Sequence, residues 1–123
     1  MQLKIDEGVQ QEIARYTDEN SRILFLYEDG VSPYSHVGEI AMMISMVIII
    51  IDKDQPYLEW FDDTIDTTMG AWPVKGYSKA YLDQDMELYI KPFGDIALKS
   101  ESSVIDDTVV IRDERVAKKV LSK

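Results

Sequence analysis

The chain has 123 residues, a formal charge of −10, 46% hydrophobic residues, no cysteine and one histidine, His36. Its size and composition predict one domain over 1–123, with a core large enough to need no covalent staple. Without a thiol, disulfides, cysteine nucleophiles, cysteine-ligated zinc and cysteine-held iron–sulfur clusters are excluded. The 13 basic residues are spread thinly among 23 acidic ones, which argues against nucleic acid and anionic membrane as partners.

Residues 3–5 alternate as a short strand. Asp6 stands where a side chain can cap the helix expected over 7–16, in which Val9, Ile13, Ala14 and Tyr16 fall at helical spacing. Residues 22–28 predict a strand with both faces apolar: Ile23, Phe25 and Tyr27 on one, Leu24 and Leu26 on the other. The stretch 28–39 carries Gly30, Pro33 and Gly38 and predicts an irregular loop. The run 40–51 is apolar except for Ser45. Four consecutive isoleucines at its end favour a buried strand, because β-branched side chains suit a pleat better than a helix. It is also shorter than the roughly 20 residues of a membrane span.

The second half predicts short strands. Tyr57, Glu59 and Phe61 alternate with Leu58 and Trp60. Residues 62–69 hold one ragged strand, and Gly70 and Pro73 bracket Ala71 and Trp72. Residues 77–82 are a loop or a single helical turn. Residues 86–91 alternate as a half-buried strand, 92–95 form a hairpin turn and 96–99 return. Residues 100–107 predict a polar loop and 108–112 a last strand. Asp113 is placed to cap a C-terminal helix over 114–122. Strand, helix, many strands, helix is an α+β order with a mostly antiparallel or mixed sheet and a helix near each end.

Candidate chemistry is sparse. Asp29, His36 and Glu39 share one loop and offer oxygen and nitrogen donors for a metal, without a known ligand spacing. Ser32 and Ser35 lie beside His36, but nothing local supplies a third group or an oxyanion site. The pairs Asp62–Asp63, Asp83/Asp85 and Asp106–Asp107 fall at strand ends, where aspartate is expected for backbone reasons. Trp60, Phe61, Trp72, Tyr77, Tyr81 and Tyr89 fit core or interface packing better than a ligand pocket. No catalytic residue is assigned, and an enzyme is the less favoured reading. Zero cysteine fits a cytoplasmic protein, and residues 1–5 contain no apolar signal-peptide core.

The order of elements, with the patches 22–30, 70–74, 81–89 and 96–100, resembles the HesB-like, A-type family of iron–sulfur cluster biosynthesis, in particular its small Firmicutes branch. The resemblance covers about residues 3–111. It implies the HesB-like α+β fold and places a cysteine-rich ligand loop after the second strand. The matching stretch here is 30–36, which offers Ser32, Tyr34, Ser35 and His36 instead of thiolates. These four are expected to be a degenerate ligand loop, with Tyr34 and His36 largely exposed or ordered mainly by contact with a second chain, and no iron–sulfur cluster is expected as a cofactor. The implied role is a non-catalytic binding or accessory protein with a protein partner or self-association. The alternatives are a small metal-dependent enzyme or metal-binding protein using Asp29, His36 and Glu39, and a structural homo-oligomer.

Overall fold

The computed structural model describes residues 1–28, 32–34, 45–101 and 103–116. Eight strands form one mixed sheet in the order β2-β3-β8-β7-β6-β1-β4-β5. Strand β1 is Gln2–Ile5, helix α1 Glu7–Ala14, β2 Ser21–Tyr27 and β3 Met46–Asp52. Strands β4 Asp63–Thr67 and β5 Gly70–Val74 follow, then a 3-10 helix at Gly76–Tyr81. The chain continues as β6 Asp85–Ile90, β7 Ile96–Ser100 and the ten-residue β8 Val104–Asp113.

β1 is held in parallel between β6 and β4, and β8 runs parallel to β3, while the remaining pairs are antiparallel. The sheet curls until its two end strands, β2 and β5, lie against each other. Phe25 and Trp72 touch across that seam with ring centroids 5.9 Å apart. The result is a nearly closed barrel joined along its last edge by side chains. Pro73 contributes to this opening: paired opposite Thr64 inside β5, it has no N–H to offer a further strand.

Alternation directs the inward set. Leu3, Ile5, Phe25, Ile48, Ile50, Ile65, Trp72, Leu88 and Leu98 meet in one buried cluster. Burying each such side chain contributes about 1.5–3 kcal/mol. α1 adds Val9 and Ile13 from one helical face. It approaches β6 so closely that a Cβ on Gly8 would stand 3.1 Å from Ile90 Cδ1, so glycine in the first turn serves packing. At the β6–β7 hairpin Gly94 has φ +95°, a left-handed conformation that glycine adopts without strain.

β2 and β3 are buried on both faces. Their full seven-residue ladder runs from Ser21↔Asp52 to Tyr27↔Met46. The faces divide as expected, with Phe25, Met46, Ile48 and Ile50 inside and Leu24, Leu26, Val47, Ile49 and Ile51 in a second cluster outside. Tyr34 and Phe61, with Tyr57 and Trp60, cover that outer cluster.

Several expectations are corrected. Among the described residues the protein is mostly β with a single short α-helix, at the N-terminal end, so the predicted helical share is too large. Most of the helix expected over 114–122 falls on residues 117–122, outside the described residues. Its proposed capping residue Asp113 ends β8 and accepts the Arg115 backbone N–H at 3.2 Å. Asp6 occupies the N-cap position of α1 but makes no side-chain cap; its carboxyl turns to Glu87. Residues 57–61 form no strand. The Trp60 and Phe61 N–H groups both donate to the Tyr57 carbonyl, at 3.1 and 2.8 Å, so Tyr57 and Phe61 come to one face through a tight turn. The predicted loop at 100–107 is largely strand, since β8 starts at Val104. The irregular register against β7 and the Asp106–Thr108 turn disrupt the alternation that would have revealed it. For the run 40–51, β3 accounts for 46–51, and 40–44 lie outside the described residues.

Candidate functional site

The outer cluster on β2–β3 leads to the loop singled out in the sequence. Glu28 follows β2 directly, and its N–H donates to the Ser45 carbonyl at 2.9 Å, extending the ladder. Its carboxylate is buried, with 1% side-chain exposure, and forms an ion pair with Arg112. β8 supplies Arg112 on the same face as Ile49, because the two are Cα partners in the parallel β3–β8 ladder. The Arg112 guanidinium also donates to the Tyr34 carbonyl at 3.4 Å. On the seam side of Tyr27 lies Lys75, almost wholly buried, whose ammonium donates to the Tyr27 carbonyl at 3.4 Å.

Tyr34 is the anchor of the loop. The Ser32 hydroxyl accepts its backbone N–H at 3.1 Å, a local turn that serine favours. Tyr34 is 6% exposed and belongs to the outer apolar cluster. Its hydroxyl donates to the Pro56 carbonyl at 2.7 Å. Burial raises the phenol above its ordinary pKa, the Glu114 charge adds to this and a hydrogen bond with Gln55 opposes it, so the group is a neutral donor at physiological pH. Gln55 ties the neighbouring turn to the end of β8: Oε1 accepts from the Asp52 N–H at 2.7 Å and Nε2 donates to the Glu114 carbonyl at 3.0 Å.

The expectation of an accessible Tyr34 is therefore corrected. A large ring with an apolar face beside it is worth more buried, and one carbonyl satisfies its hydroxyl. Ser35 and His36, and with them Asp29 and Glu39, lie outside the described residues. Among the described residues no group of three or more His, Asp or Glu side chains could hold a metal ion. Asp62, Asp63 and Asp106 accept backbone N–H groups. Asp62 accepts the Gly76 N–H at 2.7 Å. Asp63 pairs with Lys79 at 3.0 Å, and that hydrogen bond holds its carboxyl below the usual range. Asp106 accepts the Met46 N–H at 2.8 Å and the Thr108 N–H at 3.0 Å. Arg112, Lys75 and Gln55 went unnoticed in the sequence. Each is one polar residue in an unremarkable setting, and only tertiary pairing brings it to the loop.

These side chains do not suit a cluster held by the protein. The chain has no thiolate, and the Tyr34 hydroxyl is a hard oxygen already engaged with Pro56. What the arrangement does is fix the start of the loop onto a dry surface, with a buried opposite-charge pair beneath it.

The comparisons with known proteins agree with this architecture. Two Lactobacillus crystal structures, each called a "putative Fe-S biosynthesis protein", share the fold. The L. salivarius protein is 27% identical at a TM-score of 0.83, with 94% of this chain and 99% of that chain covered. The L. acidophilus protein is 17% identical at a TM-score of 0.68, with 99% and 95% covered, a likeness of fold alone. No curated protein matches, and among the described residues no helix is long and apolar enough to cross a membrane. The family described as iron-sulphur cluster biosynthesis matches residues 1–113, nearly the whole barrel from β1 to the end of β8, and this cysteine-free chain belongs to that family.

Proposed function

We propose that this chain is an accessory binding protein of iron–sulfur cluster assembly, which engages a protein partner in a reducing cytoplasm and carries no cluster on its own side chains. The observation that supports this reading most directly is Tyr34. In the stretch that matches the family's ligand loop, a buried aromatic ring locked to Pro56 stands in the segment where thiolates are expected. Ser32, Tyr34, Ser35 and His36 are then a degenerate ligand loop, kept for its attachment to the barrel. The role is non-catalytic.

The test has two arms. Anaerobic reconstitution of this chain with iron and sulfide is expected to give no stoichiometric visible chromophore. When a cysteine-bearing member of the family is reconstituted beside it, the rate of cluster formation on that relative is expected to change. A stable cluster on this chain alone, or an unchanged rate for the relative, overturns the reading.

A further inference from the structure

β2 and β5 close the barrel without a ladder between them, and their neighbours show which way their backbone groups point. The Lys53 N–H donates to the Asn20 carbonyl and the Glu28 N–H to the Ser45 carbonyl, both at 2.9 Å. Both pairs continue the β2–β3 register. Bonds in an antiparallel pair recur at every second residue. Arg22, Leu24 and Leu26 therefore turn their backbone groups to β3, while Ser21, Ile23, Phe25 and Tyr27 turn theirs to the open edge. The Lys75 ammonium on the Tyr27 carbonyl agrees with this phase. On the other side the Thr68 N–H donates to the Leu3 carbonyl at 3.2 Å. That bond turns the even-numbered residues along β4 to β1 and the odd-numbered ones to β5. Their partners Gly70, Trp72 and Val74 are then bonded to β4, and Ala71 and Pro73 face the open edge. Proline fits there because it has no N–H to leave unpaired.

Ser21 and Ile23 from one edge and Ala71 and Pro73 from the other line a single open groove of about 400 Å³, with Thr17 and Thr64 on its flanks. The Ser21 N–H is taken by the Asp18 carbonyl at 3.3 Å. Among the described residues nothing hydrogen-bonds the backbone of Ile23 or Ala71 on this side. Ala71 is exposed and Ile23 half-buried. Farther along, the contact of Phe25 with Trp72 closes the seam, which leaves 21–23 and 71–73 as the open edges. An unpaired edge is a template for another strand. Four antiparallel and three parallel pairings separate β2 from β5 around the sheet, so the two run in the same direction. One added strand can therefore pair with both in the same sense.

We infer that this groove docks an extended segment of a protein partner by strand addition, with backbone hydrogen bonds to Ile23 of β2 and Ala71 of β5. Main-chain bonds supply the affinity in this mode, which suits a groove whose walls are more polar than apolar. The chain's charge of −10 favours a segment with basic ends. The inference rests on the accessory reading for the existence of a protein partner and adds where that partner is held. Its test contains no iron, sulfide or family relative, so its failure leaves that reading standing.

The probe is a capped peptide, Thr-Val-Thr with a lysine at each end. The control is the same peptide with its central amides N-methylated, which removes the donors and keeps the side chains. Nitrogen–proton correlation NMR of the full chain follows the Ile23 and Ala71 amides. Both signals are expected to move saturably with the probe. The methylated control is expected to bind at least about tenfold more weakly, a difference of about 1.4 kcal/mol. Ala71→Pro deletes an N–H that β4 does not use and is expected to weaken probe binding several-fold. The probe–control comparison on the unmutated chain holds even if that variant folds poorly. No saturable shift at these amides, or equal binding of probe and control, overturns the proposal. So do shifts at Ile23 and Ala71 that grow with protein concentration alone, which would assign the groove to a second copy of this chain.

Discussion

The two halves of the sheet solve the same burial problem differently. Around β2 and β3 both faces are covered. The barrel interior lies on one side, Tyr34 and Phe61 lie on the other, and Glu28, the one buried carboxylate among the described residues, has an opposite charge in Arg112. Around β1, β6 and β7 only the inner face is consistently apolar. The outer face carries Lys4, Glu87 and Lys99, which line an open groove with Thr67 and Ser100. There a like-charged pair, Asp6 and Glu87, is tolerated because water and two lysines surround it. Substitutions in the covered half should therefore cost far more than comparable ones in the open half.

The largest effect is expected from Arg112→Leu. It leaves the buried Glu28 carboxylate without its guanidinium, and breaking a buried pair from one side costs about 3–5 kcal/mol. Urea unfolding measures this directly. A cost below about 1 kcal/mol, the range of surface pairs, would mean that Glu28 is not truly covered and that the two halves differ less than their burial implies.

Ile49→Ala comes next. Ile49 is fully buried in the outer cluster, and a truncation of this kind costs about 2–5 kcal/mol according to how far the site collapses. Thermal or denaturant unfolding reads it. A value near zero would show that the outer cluster adds little to the barrel interior, and the notion of a doubly covered half would fail.

Tyr34→Phe is smaller and separates ring from hydroxyl. The ring stays in the cluster, while the Pro56 carbonyl loses its 2.7 Å donor. One net hydrogen bond is worth about 0.5–1.5 kcal/mol, so the variant should fold with a modestly lower denaturant midpoint. Tyr34→Ala, which also deletes the ring, should cost several-fold more. If the two variants were equally destabilised, the hydroxyl and not the burial would be holding the loop.

The same contrast decides what the sequence revealed. A strand covered on both faces reads as an unbroken apolar run, so β3 and the face assignment of β2 were plain from 46–51 and 22–28. A strand covered on one face reads as alternation, so β6 and β7 were plain as well. The failures lie where neither signature holds. At 57–61 a tight turn imitates alternation with aromatics two residues apart, and in β8 the aspartates at 106 and 107 interrupt it. The loop around Ser32–Tyr34 was legible from Gly30, Pro33 and Gly38, but the burial of Tyr34 depends on the Pro56 carbonyl, 22 residues away.

The smallest expected effect lies in the open half, and its dependence on pH sets it apart. The hydrogen bond to Glu87 raises the Asp6 pKa, burial and the Glu87 charge raise it further, and Lys4 and Lys99 oppose this. Glu87 moves the other way, lowered first by its bond with Asp6 and then by Lys99, with burial opposing. Asp6 is thus the member that keeps the shared proton. A carboxyl whose pKa is higher in the folded state contributes stability that is complete below its unfolded value, 3.8. That contribution is lost as pH rises through the folded value. Glu87 has the opposite sign, contributing above its unfolded value of 4.5 and losing that contribution as pH falls through its lowered folded value. Above the folded Asp6 value that contribution is spent and the two carboxylates repel. Asp6→Asn keeps a donor toward Glu87 and removes the charge, so the variant should be more stable than wild type at neutral pH. The gain should be no more than about 1 kcal/mol because the pair is partly solvated, and it should shrink as the buffer is acidified toward the range in which wild-type Asp6 holds its proton. Urea midpoints across that range test the slope as well as the sign. A gain that did not change with pH would assign the effect to the helix start instead, where asparagine and aspartate are comparable residues. In that case the carboxyl pair would contribute nothing to the difference between the two halves of the barrel.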